Sequence, residues 1–463
     1  MRAALFVVAL AVAGPSVAGQ SAEVSQFELD NGMKVLVRVD PRAPVVVSQV
    51  WYGIGSVDEH RGVTGISHVL EHMMFKGTDD LEPGEFAEIV QRHGGEHNAF
   101  TGRGYTGYYQ QIAAEHLELL FRLEADRMSD LALDQTEFER ERSVVLEERA
   151  QRVEDNPHAL TQERLRATAF PSSTARNPVI GWPADLESMS LDQVATWYGQ
   201  WYAPNNAALV VVGDVDPQRV HTLAQQYFGD KAPTELPPRP PRGEVEPRGE
   251  ARIEVQAPAN VPYLAMGWRV PSLVTAEDPT DAYALDVLVE VLDGGRSARI
   301  ERELVRGSAV ASSAGAGYSM LSRTDELLMM AGAPAQERSV EDLEQALREQ
   351  VERLKDGEIG AEELERVKTN VRASEVFQRD SMFYQAMRIG LLETIGVGQD
   401  AYDAYREGIE AVTADDVRRV AEKYLTDERL TVAELVPTSV ESGSAPPAPA
   451  SDPASPGGDA IGH

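Results

Sequence analysis

His68, Glu71 and His72 fall in one short run, His68-Val69-Leu70-Glu71-His72, and their types and spacing could do chemistry together. On a helix, residues four apart lie one turn apart on one face, so His68 and His72 can grip a single metal ion. Glu71 projects beside them, close enough to act on a water in an open fourth position. A distant acid is needed to complete a three-ligand site. Glu148, closing the run Glu141-Arg142-Ser143-Val144-Val145-Leu146-Glu147-Glu148, is the candidate. This is the pattern of a zinc hydrolase.

The elements that must position these groups are partly readable. Residues 66–75 are helix-compatible, with Thr64 and Ser67 available to cap the start. The five-residue pattern alone is weak, because His93-Gly94-Gly95-Glu96-His97 repeats it. Two adjacent glycines destabilise a helix by about 2 kcal/mol relative to alanine, so His93 and His97 are not expected to be held one turn apart. Asp134-Gln135-Thr136-Glu137 reads as a helix start, and residues 138–153 are charged with an apolar stripe at Val144, Val145 and Leu146. Glu141 and Glu148, seven apart, share roughly one face. Standing alone, the segment reads as a solvated acidic helix, and Glu147 is expected to be such a solvated residue. Glu141 reads either as another solvated acid or as one that orients a ligating histidine from behind.

Composition narrows the classes of function. The 463 residues suffice for two domains of about 200 residues each. The formal charge of −32 argues against nucleic acid, whose phosphates would be repelled, and fits a basic peptide substrate or a saline habitat. With no cysteine, a metal site must use His, Asp or Glu. At the N-terminus, Met1-Arg2, an apolar run and Ser16-Val17-Ala18 read as a signal peptide over residues 1–18. No later stretch reaches membrane-spanning length, so the expectation is a soluble, exported, most plainly periplasmic protein without a stable membrane span.

Residues 24–230 read as a mixed αβ domain. Its first strands flank the turn Asp30-Asn31-Gly32, and a third covers 45–52. Proline density marks a linker over 231–250, a second domain follows over 251–437, and residues 438–463 form a Ser/Pro/Ala/Gly-rich tail expected to be disordered, with His463 no ligand. Ser190-Leu191-Asp192-Gln193 and Thr413-Ala414-Asp415-Asp416 each open a helix that precedes an apolar strand, in the same register. The two halves therefore read as a diverged repeat. The same register carried back from His68 and His72 lands near Val291 and Gly295, so only the first half is expected to keep the metal ligands.

The run from His68 to Thr78 resembles the active-site helix of the pitrilysin/insulinase family of inverzincin metallopeptidases, in the branch of mitochondrial processing peptidase and its bacterial relatives. Glu141 to Glu148 is similar to that family's distal ligand helix. The segment Gly94-Gly95-Glu96-His97-Asn98-Ala99-Phe100-Thr101 is similar to its substrate strand. Trp201-Tyr202-Ala203-Pro204-Asn205-Asn206 and Val212-Gly213-Asp214 also match. The resemblance implies one Zn²⁺ held by His68, His72 and Glu148, with Glu71 as general base. Asn98 and Ala99 would lie on an edge strand to which a peptide adds. It implies an α+β fold of two homologous domains, each a mainly antiparallel sheet with helices on one face, together forming half of a clam-like chamber. Chemically, manganese or cobalt could also occupy a His₂Glu site.

One departure stands out. Self-sufficient relatives carry an Arg and a Tyr in the second half, where this chain has Glu303 and Val310; Tyr318 would substitute only if its loop shifted. The chain is therefore expected to be the zinc-bearing subunit of a heterodimer whose homologous partner supplies Arg and Tyr, with a homodimer as the alternative. The competing readings are a non-catalytic, zinc-stabilised scaffold and a peptide-capture subunit.

Overall fold

The computed structural model describes residues 23–439 apart from 242, 247 and 248. The signal-peptide expectation and the tail from residue 440 lie outside the described residues. The hairpin turn at Gly32 joins β1 (Ser25–Glu28) to β2 (Lys34–Val39), with Gly32 at φ 85°, where a side chain would be strained. β3 (Val45–Tyr52), β4 (Glu96–Thr101), β5 (Thr106–Ala113) and β6 (Ala207–Gly213) complete a sheet ordered β1-β2-β6-β3-β5-β4. A second sheet is ordered β7-β11-β8-β10-β9, built from β7 (Ala251–Pro258), β8 (Tyr263–Val270), β9 (Ala311–Gly317), β10 (Glu326–Pro334) and β11 (Leu430–Thr438).

Apart from β1, the two orders match strand for strand. Each sheet holds one parallel pair, β2 with β6 and β7 with β11, and is otherwise antiparallel. The repeat is equally clear in the connecting units. Ser190 and Thr413 each form a capping box at the start of Leu191–Trp201 and Ala414–Tyr424. Each helix leads through a short 3₁₀ turn into β6 or β11. In the second half Pro279–Asp293 packs on Ala414–Tyr424 as Ile66–Met73 packs on Leu191–Trp201 in the first. Its buried Asp281 binds Lys423, Tyr424 and Arg419, and it carries no histidine.

Within each half the helices cover one face of the sheet, as the resemblance implies. The opposite faces are closed by exchange. Met382–Ile395 of the second half lies across β3 and β6, burying Leu36, Val47, Trp51 and Val210 against Ala386, Ile389 and Leu391. Pro157–Ala169 of the first half lies across β7, β8 and β11, burying Ala265, Ala433 and Leu435 against Leu165 and Ala169. Sheets covered on both faces need apolar residues on both, which is why Val45–Tyr52 reads as a continuous apolar run broken only by Ser48 and Gln49.

Among its described residues the proline-rich segment after Lys231 forms no helix or strand, yet it is fastened to the first half. Arg239 pairs with buried Asp58 at 2.7 Å and lies over Trp201, and the Glu244 carboxylate accepts from the Ser172 and Ser173 amides. Arg323 of the second half reaches the same Asp58 at 2.5 Å and donates to the Gly53 and Gly104 carbonyls, so one buried carboxylate ties both halves and the segment between them.

Candidate metal centre

Ile66–Met73 begins at Gly65, whose φ of 84° and close approach to the Ile180 carbonyl and Gly181 leave no room for a Cβ. Glycine offers no side-chain cap, and neither Thr64 nor Ser67 takes that role. Thr64 Oγ1 instead donates to Asp185 at 2.6 Å and accepts from the Trp182 amide. The helix start is satisfied by Glu59, whose buried carboxylate accepts the Gly65 and Ser67 amides at 2.7 and 2.9 Å. The buried face of the helix, Ile66, Val69, Leu70 and Met73, enters the first-half core and fixes which way His68 and His72 look.

They look at the helix Gln135–Arg149, capped by Asp134 and extended by a π turn, Ala150–Glu154. Its anchor in the core is Phe138, Glu141 and Val145, with Leu146 packed at the core's edge; of the apolar stripe expected at 144–146 only Val144, 45% exposed, turns away. Glu147 is exposed, as expected of a solvated acid. Glu148 Oε2 stands 3.6 Å from Nε2 of both His68 and His72, and the three donor atoms lie within 4.8 Å of one another. Ligands bound tetrahedrally at about 2.1 Å stand about 3.4 Å apart, so the spacing fits a small divalent ion. Among the described residues this is the single such cluster.

The surroundings set the charge states. Burial, reinforced by His72, lowers the pKa of His68 to about 4, so its ring is neutral and ready to ligate. Burial opposes the charge of His72, but hydrogen bonds with Glu141 and Glu148 raise it to about 9. Glu141 accepts from His72 Nδ1 at 3.1 Å and from Lys76 Nζ at 2.8 Å, leaving Nε2 toward Glu148. Burial also opposes ionisation of Glu148, yet His72, His68 and Arg152 hold it below the usual carboxylate range; Arg152 binds its second oxygen at 2.7 Å. Burial lifts Glu71 to about 7, against a hydrogen bond of 2.5 Å from Thr101 Oγ1.

His93 ends a helix and packs on His116, whereas His97 sits on β4 between Phe75 and Phe86, so that second pattern makes no site. β4 is a free edge among the described strands, beside the metal-site helix. The Ala99 amide faces outward, held by Asn98 Oδ1 at 2.9 Å and unused by β5. In the second half Glu303 is bound by Arg302, Arg353 and Gln350 and lowered to about 2 despite burial, while Val310 is buried. Tyr318 donates to the Pro271 carbonyl at 2.6 Å.

Two family models match, "Insulinase (Peptidase family M16)" over residues 34–182 and "Peptidase M16 inactive domain" over residues 188–371. The chain belongs to the M16 (insulinase) peptidase family. It is 31% identical to the zinc protease PqqE of Helicobacter pylori, over 88% of this chain and 92% of that protein. It is 26% identical to the uncharacterized zinc protease YmxG of Bacillus subtilis, over 88% and 96%. A crystal structure of a protease from Helicobacter pylori superposes with a TM-score of 0.85 at 28% identity, covering 90% of this chain and all of that one. The relatives point to a zinc metallopeptidase, and the His₂Glu donor set with its ion-sized spacing fits that metal.

The structure brings the histidine pair read from spacing together with Glu148, the distal acid that the resemblance implies. Four contributors were not assigned: Glu59, Lys76, Thr101 and Arg152. Thr101 and Lys76 fall inside the quoted motifs, and Arg152 falls one turn after Glu148. No local signal points to Glu59, which reaches the helix from a separate loop.

Proposed function

We propose that this protein is a zinc metalloendopeptidase that hydrolyses peptides or small unfolded polypeptides docked as an added strand on β4. The observation that carries the reading is the convergence of His68, His72 and Glu148 around one ion-sized gap, with Glu71 and a free strand edge beside it. Bound there, the ion would supply Lewis acidity and lower the pKa of water toward neutrality. His68, His72 and Glu148 would hold it, with Glu141 fixing the ligating nitrogen of His72. Glu71, poised near neutrality, takes a proton from the attacking water and returns it to the leaving amine. The outward Ala99 amide and Asn98 would pair with the main chain of the peptide, which makes recognition tolerant of side chains.

The second half offers no Arg or Tyr at the positions of Glu303 and Val310, and both of those side chains are engaged or buried. This favours a homologous partner chain that supplies the oxyanion-stabilising pair. Among the described residues no helix is long and apolar enough to cross a membrane. Export to the periplasm rests on residues 1–18 and is checked by cell fractionation. The deciding experiment is cleavage of a quenched peptide library by the purified chain, with and without chelator, alone and with a homologue carrying the Arg/Tyr segment. Chelator-sensitive cutting only on mixing supports the two-chain enzyme, and cutting by the chain alone removes the need for a partner. Silence throughout with zinc bound selects the scaffold or peptide-capture reading.

A further inference from the structure

The proposed base is not free to choose its orientation. Glu71 follows the buried Leu70 on the metal-site helix, and its Oε2 accepts the Thr101 hydroxyl at 2.5 Å. Thr101 is the last residue of β4, the same strand whose outward Ala99 amide lies at the free sheet edge. The backbone of Thr101 pairs with Thr106 across the tight connection to β5, and Thr106 is itself buried, its hydroxyl donating to the Ile54 carbonyl. The Thr101 side chain therefore projects from a fixed platform.

We propose that Thr101 is a positioning residue: it clamps one oxygen of Glu71 and leaves the other for the reacting water. A carboxylate with rotatable side-chain torsions loses its alignment when such a bond is removed, and proton transfer depends steeply on that alignment. A hydroxyl donor is required, because valine matches threonine in shape but cannot donate.

This inference rests on the peptidase reading, and its test has one arm that does not. Thr101→Val and Thr101→Ser are compared with the unaltered chain, each with whatever partner activity requires. The expected result is a fall in kcat of about 10–100-fold for Thr101→Val, with KM and zinc affinity within about threefold, and recovery to within about threefold in Thr101→Ser. Crystal structures of the metal-free variants should show the Glu71 carboxylate turned away in Thr101→Val and retained in Thr101→Ser. An unchanged kcat in Thr101→Val, a loss confined to KM or zinc affinity, or a serine variant as impaired as the valine one overturns the clamp. If the unaltered chain cleaves nothing with any partner, the peptidase reading falls. The crystal structures then still decide whether Thr101 holds Glu71.

Discussion

A histidine ligates through the nitrogen that carries no proton, and Glu141 decides which nitrogen of His72 that is. Its carboxylate sits between His72 Nδ1 and Lys76, so the proton is held at Nδ1 and Nε2 faces Glu148. Glu141→Gln keeps the shape but weakens that hold, and zinc affinity should fall about 10–100-fold in a competition titration against a chromophoric chelator. An unchanged affinity would show that Lys76 and packing alone orient the ring. Glu71→Gln should do the reverse: zinc stays bound with little change while turnover falls by about 10²–10⁴-fold. Peptidase activity retained in that variant would remove Glu71 as the base. The pair of variants thus separates holding the ion from using it.

At the scale of the helix, eight residues are too few to be stable alone, so tertiary contacts must hold Ile66–Met73 in place. Glu59 does this at the N-terminus, and Glu59→Ala should destabilise the fold by about 1–3 kcal/mol by leaving two buried amides unpaired. The pH dependence follows from its carboxyl, which burial pushes from 4.5 to about 7. Between those values the folded chain keeps a proton that the unfolded chain has lost, so stability declines as pH rises through the window. Glu59→Gln has no such proton. The stability of the unaltered chain relative to that variant should therefore shrink between about pH 5 and pH 8, by on the order of 2–3 kcal/mol, in urea melts of the metal-free proteins. A gap that widens instead would mean that the two amides keep Glu59 ionised. Here lies the boundary of what the sequence reveals. Histidine spacing, the Asp134 cap and the capping boxes at Ser190 and Thr413 are local signals, and the structure follows them. The cap on Ile66–Met73 is supplied across a loop by Glu59, so Thr64 and Ser67, the nearest hydroxyls in sequence, do not cap it. Val144 reads as core because it is apolar, whereas the polar Glu141 takes the buried position through its partners His72 and Lys76.

For the molecule as a whole, the repeat in sequence suggests two units, but each sheet is finished by a helix from the other half. Periodicity cannot reveal such an exchange, since an apolar strand face looks the same whichever helix covers it. Gly390 shows how close the fit is: a methyl at that position would overlap the buried Trp51 ring on β3. Gly390→Val should therefore lower stability by about 1–3 kcal/mol through overpacking, although it touches no group at the metal centre. The buried Asp58, shared by Arg239 and Arg323, adds a polar tie at the same junction, and removing it would leave two arginines without their common counter-charge. Residues 23–250 expressed alone should then fail to give a cooperative, soluble fold, because Leu36, Val47, Trp51, Phe100 and Val210 would face water. Co-expression with residues 251–439 should restore solubility, zinc binding and a single unfolding transition, read by calorimetry. A stable, zinc-binding first half on its own would show that the exchange follows folding and is not required for it. The candidate ligands His68, His72 and Glu148 all lie within the first half, so that outcome would separate the proposed chemistry from the architecture that shelters it.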